Sequence, residues 1–243
     1  MRHSLFLFPV VALGLSACSQ GAGPDGINDP YEGMNRRVHA FNRGLDANIV
    51  KPLTDKENDG DDTRGPLSYA VQGVGNFGSN LALPGKAANH LLQGKLAPAV
   101  RMTFRFAVNT TVGLGGFLDP ATADFGLPEE DTDFGQTLAT WGVGEGAYLE
   151  LPLLGPSTER DTFGRVVDLV LDPLGPQMNR DQRLIGFGAR ILSKAGDRAK
   201  YGDTVDPVLH ESADSYAQTR LIWLQHRRFE LGEEGEAIDP YAE

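Results

Sequence analysis

The sequence predicts an all-α fold: a single domain of amphipathic helices with one glycine-rich apolar loop or hairpin. Three observations predict it. From residue 28 onward, apolar side chains recur at steps of three and four in one stretch after another, the period of a helix with one apolar face. Thr137 to Trp141 and then Gly142 to Pro156 break that period, being apolar and rich in glycine without helical spacing. No internal repeat or linker marks a second domain, so 28–230 reads as one unit with a substantial core.

The chain opens with Met1-Arg2-His3, an apolar run from Leu5 to Leu15, and Leu15-Ser16-Ala17-Cys18. The run is too short to cross a bilayer and reads as a secretory leader, residues 1–17. Its end resembles the bacterial lipobox, which makes Cys18 the site of lipid attachment. Cys18 is the sole cysteine, so disulfides and thiolate metal sites are excluded. Residues 18–27 read as a flexible tether with a reach of about 15–18 Å, which holds the body at the membrane surface. Ser19 is not the aspartate that favours inner-membrane retention in lipoproteins of this kind, so the lipobox resemblance implies the outer membrane.

Asp29-Pro30-Tyr31-Glu32 is expected to start the first helix, with Asp29 as cap. Met34, Val38, Phe41, Leu45 and Ile49 give it one apolar face, and Pro52 stops it. Periodicity does not separate a core-facing helix from an interfacial one. Asp55 to Asp62 imitates half of an EF-hand loop, but Pro66 stands where the bidentate glutamate belongs, so the segment reads as a solvated acidic loop. Tyr69, Val74, Phe77 and Leu81 fit a second helix, and Pro84 is expected to begin a third that ends near Gly94. The glycine patterns at Gly73 to Gly78 and Gly142 to Ala147 lack the strand and helix that a dinucleotide site requires.

Pro98 to Thr111 carries the most unusual pattern. Arg101, Arg105 and Asn109 form a polar line at every fourth position, while Val100, Met102, Phe104, Phe106 and Ala107 cover most of the rest. A helix so apolar must be surrounded by protein or lipid, and its guanidiniums must face carboxylates, a wet cavity or anionic headgroups. Gly113 to Pro120 ends it in a turn, with Gly113, Gly115 and Gly116 supplying the backbone freedom. Phe125 to Asp133 reads as an irregular acidic connector. Ser157 or Thr158 is expected to cap a helix carrying Phe163, Val166, Val167 and Val170 on one face. Another is expected over 179–195, with Leu184, Phe187, Ile191 and Leu192 inside, and a last one from Pro207 to Phe229. Residues 231–243 read as an acidic disordered tail.

The formal net charge of −11 excludes nucleic acid as a natural partner. No metal site or cofactor is expected: the histidines lack ligand spacing, and His210-Glu211 is followed at the zinc-binding position by Asp214. No Gly-x-Ser-x-Gly elbow appears, and nothing nominates a catalytic residue.

Ordered blocks including Asn28-Asp29-Pro30-Tyr31-Glu32-Gly33-Met34-Asn35-Arg36, Phe41-Asn42-Arg43, Arg105-Phe106-Ala107-Val108-Asn109-Thr110-Thr111, Gly113 to Asp119, Asp133 to Leu138 and Tyr148 to Pro152 resemble the MlaA/VacJ family of outer-membrane lipoproteins. The resemblance covers about Asn28 to Arg228. It implies a ring of helices in the inner, periplasm-facing leaflet of the outer membrane, enclosing an amphipathic channel. Mislocalised phospholipids would leave the outer leaflet through it and pass to a periplasmic lipid carrier (MlaC-like), with a trimeric porin as a further partner. Under that resemblance Arg101, Arg105 and Asn109 would guide headgroups, and Phe41, Asn42 and the Gly113 to Gly116 turn would permit gating. The acidic Thr54 to Pro66 segment departs from the family's aromatic, proline-containing connection. The protein is then not an enzyme; the rival expectations are a phospholipid-hydrolysing lipoprotein and a purely structural envelope tether.

Overall fold

Helix α1 spans Glu32–Leu45 and runs on into a π-helical turn, Asp46–Val50. The computed structural model describes residues 26–51, 66–174, 178–182, 184–186, 188–189 and 205–232. The leader, Cys18 and the tether to residue 25 therefore lie outside the described residues, as do the acidic segment to residue 65, Phe187, Ile191, Leu192 and the tail beyond 232. Asp29 does not cap α1: the capping position is Tyr31, which makes no side-chain bond there. The Asp29 carboxylate is engaged instead by Asn35, Tyr216 and Arg220, a long-range demand that outweighs the local one.

Helix α2 is continuous from Pro66 to Leu92, with Pro84 inside it, so the expected break does not occur. A proline costs a helix interior one hydrogen bond and a steric conflict. Packing on both sides of it offsets this, since Leu83 and Ala87 lie fully or nearly buried against Met102 and Phe106. Gly94, at a φ of +76°, ends α2 and turns the chain into α3, Leu96–Thr111, which packs back along it. A single 3₁₀ turn at Leu114–Gly116 follows, then the short α4, Pro120–Ala123, capped by the Asp119 carboxylate.

The connector to residue 133 is irregular, as its composition suggests. Helix α5, Phe134–Thr140, was not expected there; Asp133 caps it by accepting from the Gln136 amide. Its seven residues are too few for periodicity to register. The apolar stretch beyond it folds into an antiparallel hairpin, β1 Tyr148–Leu151 and β2 Gly155–Thr158, with Tyr148 opposite Thr158. Thr158 caps α6, Glu159–Val170. Residues 180–182, 184–186 and 188–189 are helical, yet Leu184 is exposed rather than inside. The expected last helix is two pieces: a π-helical turn, Pro207–Glu211, and α7, Ser215–Glu230, separated because Asp214 caps α7 afresh. Fold class is as expected, all-α with one hairpin.

Two small apolar clusters form among the described residues. One gathers Ile27, Tyr148, Tyr216 and Leu224, the other Leu83, Ala87 and Met102. Outside these clusters buried polar side chains are numerous, and α1 and α6 are turned accordingly. On α1 the buried residues are Asn35 and His39, while Met34 and Phe41 stand exposed. On α6 the buried residues are Arg160, Asp161 and Gly164, whereas Phe163, Val166 and Val170 face outward, Val170 with 73% of its surface free. A water-soluble helix has the opposite arrangement. Among the described residues, no helix is long and apolar enough to cross a membrane.

Candidate functional site

The polar line of α3 ends in the turn that follows the helix. Gly113 allows this because space there is minimal: a Cβ on it would lie 2.5 Å from the Asn109 carbonyl oxygen. The turn carries Asp119 back over α3. Arg105 donates from Nη2 to both Asp119 oxygens at 3.2 Å, and from Nη1 to Thr122 Oγ1 at 2.7 Å and to the Leu127 carbonyl. Asn109 donates to Asp119 Oδ1 at 2.8 Å and accepts from the Ala121 amide at 3.1 Å. Burial alone would raise the Asp119 carboxyl. Hydrogen bonds from Thr122 and Asn109 and the Arg105 charge overcome it and hold the group below the usual aspartate value.

These bonds change the expected roles. Arg105 is 3% exposed and Asn109 is buried, so neither stands where a headgroup would meet it directly; Asp119, Thr122 and Leu127 hold the two Nη groups of Arg105. Arg101 is different. Its half-exposed guanidinium lies at the surface, held by Glu130. Lys86 is likewise held by Glu129 and Asp131, so the acidic connector straps α2 and α3 together from outside. Sequence reading missed Asp119 as the hub. Its signal was present in Asp119-Pro120, an aspartate before a proline at a helix start.

Of the expected hinge residues, Phe41 is exposed and Asn42 is tied down. Asn42 donates to the Leu151 carbonyl at 2.9 Å and accepts from the Leu153 amide at 2.9 Å, joining α1 to the hairpin. Gly115 has a φ of +76° and open space around it. Gly116 is pressed against Asn80, where a Cβ would approach the amide nitrogen to 2.5 Å. Phe117 stacks on Phe77 of α2, with ring centroids 5.0 Å apart.

A second polar constellation joins the hairpin to α1 and α7. Ser215 Oγ lies 3.1 Å from His39 Nε2, and His39 Nδ1 lies 3.4 Å from Glu150 Oε1. Tyr148 donates to the other Glu150 oxygen at 2.6 Å. These residues are far apart in sequence and no motif announced them. Serine, histidine and glutamate in that order form a relay suited to nucleophilic chemistry. Here all three are buried, and Arg43 also donates to the serine oxygen at 3.3 Å.

The third constellation is centred on Arg227 of α7. It donates from Nε to Asp161 at 2.8 Å and from Nη2 to Asp133 at 2.7 and 2.8 Å. The two carboxylates more than offset the desolvation of the guanidinium and raise its pKa above the ordinary arginine value. Arg227 thus pins α7 to the starts of α5 and α6, and in the middle of α6 a Cβ on Gly164 would come within 2.4 Å of the Gly135 nitrogen.

The model of the family described as MlaA lipoprotein matches residues 27–230. An uncharacterized protein of Rickettsia felis is 37% identical over 196 residues, spanning 80% of this chain and 74% of its own. The intermembrane phospholipid transport system lipoprotein MlaA of Shigella flexneri is 33% identical over 224 residues, spanning 88% of this chain and 83% of its own. The Escherichia coli protein of the same name is 32% identical over the same length. A solved structure from work on the structural basis for maintenance of bacterial outer membrane lipid asymmetry superposes with a TM-score of 0.68. It is 32% identical in sequence, over 84% of this chain and 98% of that one. With the matched region running from α1 through α7, this chain belongs to the MlaA lipoprotein family.

Proposed function

We propose that the protein is an outer-membrane lipoprotein, anchored through Cys18 in the periplasm-facing leaflet. It removes mislocalised phospholipids from the outer leaflet through an amphipathic passage and hands them to a periplasmic lipid carrier, beside a trimeric porin. Moving a lipid this way is non-covalent work, so no catalytic group is required. The relatives' role in intermembrane phospholipid transport supports the reading. The observation that carries it is the reversal of helix faces on α1 and α6: Asn35, His39, Arg160 and Asp161 turn inward, while Met34, Phe41, Phe163, Val166 and Val170 face outward. Lipid is the solvent in which that arrangement is favourable, at roughly 25 cal/mol per Å² of apolar surface taken from water.

Within this reading Arg101 is the headgroup contact of the α3 line. Arg105 and Asn109 act through Asp119, fixing the turn that bears Gly113, Gly115 and Gly116. Phe41 and Asn42 gate by loosening or holding the hairpin on α1. Deleting the gene in its host should raise outer-leaflet phospholipid, the wild-type chain should restore it, and Cys18→Ala should not. Unchanged surface phospholipid after deletion removes the proposal and leaves a structural tether.

The Ser215, His39 and Glu150 alignment favours one alternative, hydrolysis of a lipid ester with the serine as nucleophile. Purified protein would then release fatty acid from phospholipid and Ser215→Ala would abolish it; a conduit delivers intact lipid and keeps doing so with that substitution.

A further inference from the structure

The two π-helical turns of the described chain, at Asp46–Val50 and Pro207–Glu211, come together in space although about 160 residues separate them. His210 Nε2 lies 2.8 Å from Asp46 Oδ2, and one ligand-type atom from each of Asp46, Asp206 and His210 falls within 4.8 Å of the other two. Asp46 is buried, and the other two are half-buried. Lys51 reaches the same group from the end of the first turn, its Nζ 2.9 Å from Asp206 Oδ2.

The geometry points to a binding site for a late first-row divalent metal ion, Zn²⁺ as the type case, held by His210 Nε2 and the Asp46 and Asp206 carboxylates. One imidazole nitrogen and two carboxylate oxygens form a borderline donor set that suits zinc, cobalt or nickel, whereas calcium and magnesium want oxygen alone. Three protein ligands leave a fourth tetrahedral position for water, as in open zinc sites. Binding requires a neutral imidazole. If the ring is the imidazolium, its Nε2 proton passes to solvent as that nitrogen's lone pair takes the metal; if it is neutral with the proton on Nε2, the ring takes up a proton at Nδ1 as it gives up the one at Nε2, with no net release. Lys51 is the built-in competitor: its ammonium neutralises Asp206 when the metal is away and must swing out when it enters. The site would bolt the end of α1 to the segment that leads into α7, independently of whether the protein conducts lipid.

The test is Zn²⁺ titration of the detergent-solubilised full chain by calorimetry, with Co²⁺ absorption to report coordination. The expected result is one saturable equivalent, at least tenfold weaker in His210→Gln and in Asp206→Asn, tighter in Lys51→Met, and not displaced by Ca²⁺ or Mg²⁺. Circular dichroism shows whether each variant remains folded. Failure of both the wild type and Lys51→Met to bind overturns the site. So does binding that His210→Gln and Asp206→Asn leave unchanged, since the ion would then sit elsewhere.

Discussion

Asp119 shows how one carboxylate can decide the state of several neighbours. It receives Arg105 and Asn109 from α3 and caps α4 through the Thr122 amide, so its removal leaves a guanidinium 3% exposed with only the Glu129 carboxylate, 4.0 Å away, as counter-charge. Breaking a buried pair by deleting one partner costs roughly 3–5 kcal/mol, and Asp119→Ala should lower unfolding stability by that order in chemical denaturation. The pH dependence has a definite sign. Because the folded-state value is held below the ordinary 3.8, the stabilisation is fully present above that value and is lost as pH falls through the lower one. Asp119→Asn should flatten that acid limb in a pH series of thermal melts; an unchanged slope would show the carboxylate contributes nothing.

At the scale of elements, glycine and the caps do more than hydrophobic periodicity. The start of α5 meets the middle of α6 at Gly135 and Gly164, with no room for a methyl group between them. Gly164→Ala should destabilise the protein by about 1–3 kcal/mol, the usual result of overpacking. Gly33→Ala on α1 is the control. A Cβ there meets nothing within 4 Å, so the better helix former should be neutral or stabilising by about 0.5–1 kcal/mol. Equal losses in both would mean the crossing is not tight.

The same elements explain what was legible in the sequence. Helix α3 and the turn after it are readable because their pattern is strong and local, and of the two expected caps of α6, Ser157 or Thr158, it is Thr158 that caps it. The break at Pro84 was misread because tertiary packing against α3 overrode a local rule. Which way each helix faces was not readable, because periodicity gives an apolar stripe and says nothing about whether protein or lipid meets it. The Asp119 hub, the Arg227 clamp and the Ser215, His39 and Glu150 relay join residues brought together only by the fold.

For the molecule as a whole, the outward apolar faces decide the solvent the fold is made for. Val166 and Val170 sit one turn apart on α6, both largely exposed. If water covers them, replacing both with glutamate changes stability by no more than about 0.5 kcal/mol each, the ordinary scatter of surface substitutions. If acyl chains cover them, each charge costs roughly 2.5–3.5 kcal/mol in the membrane interior, less toward the interface. The experiment uses the Cys18→Ala chain, so that the anchor does not mask the result, and vesicles of phosphatidylethanolamine with phosphatidylglycerol. The Val166→Glu, Val170→Glu pair should keep its melting behaviour in detergent yet lose at least tenfold in vesicle partitioning. Equal partitioning with and without the two charges would mean that α6 does not enter lipid, and the outward face would then need a protein to cover it.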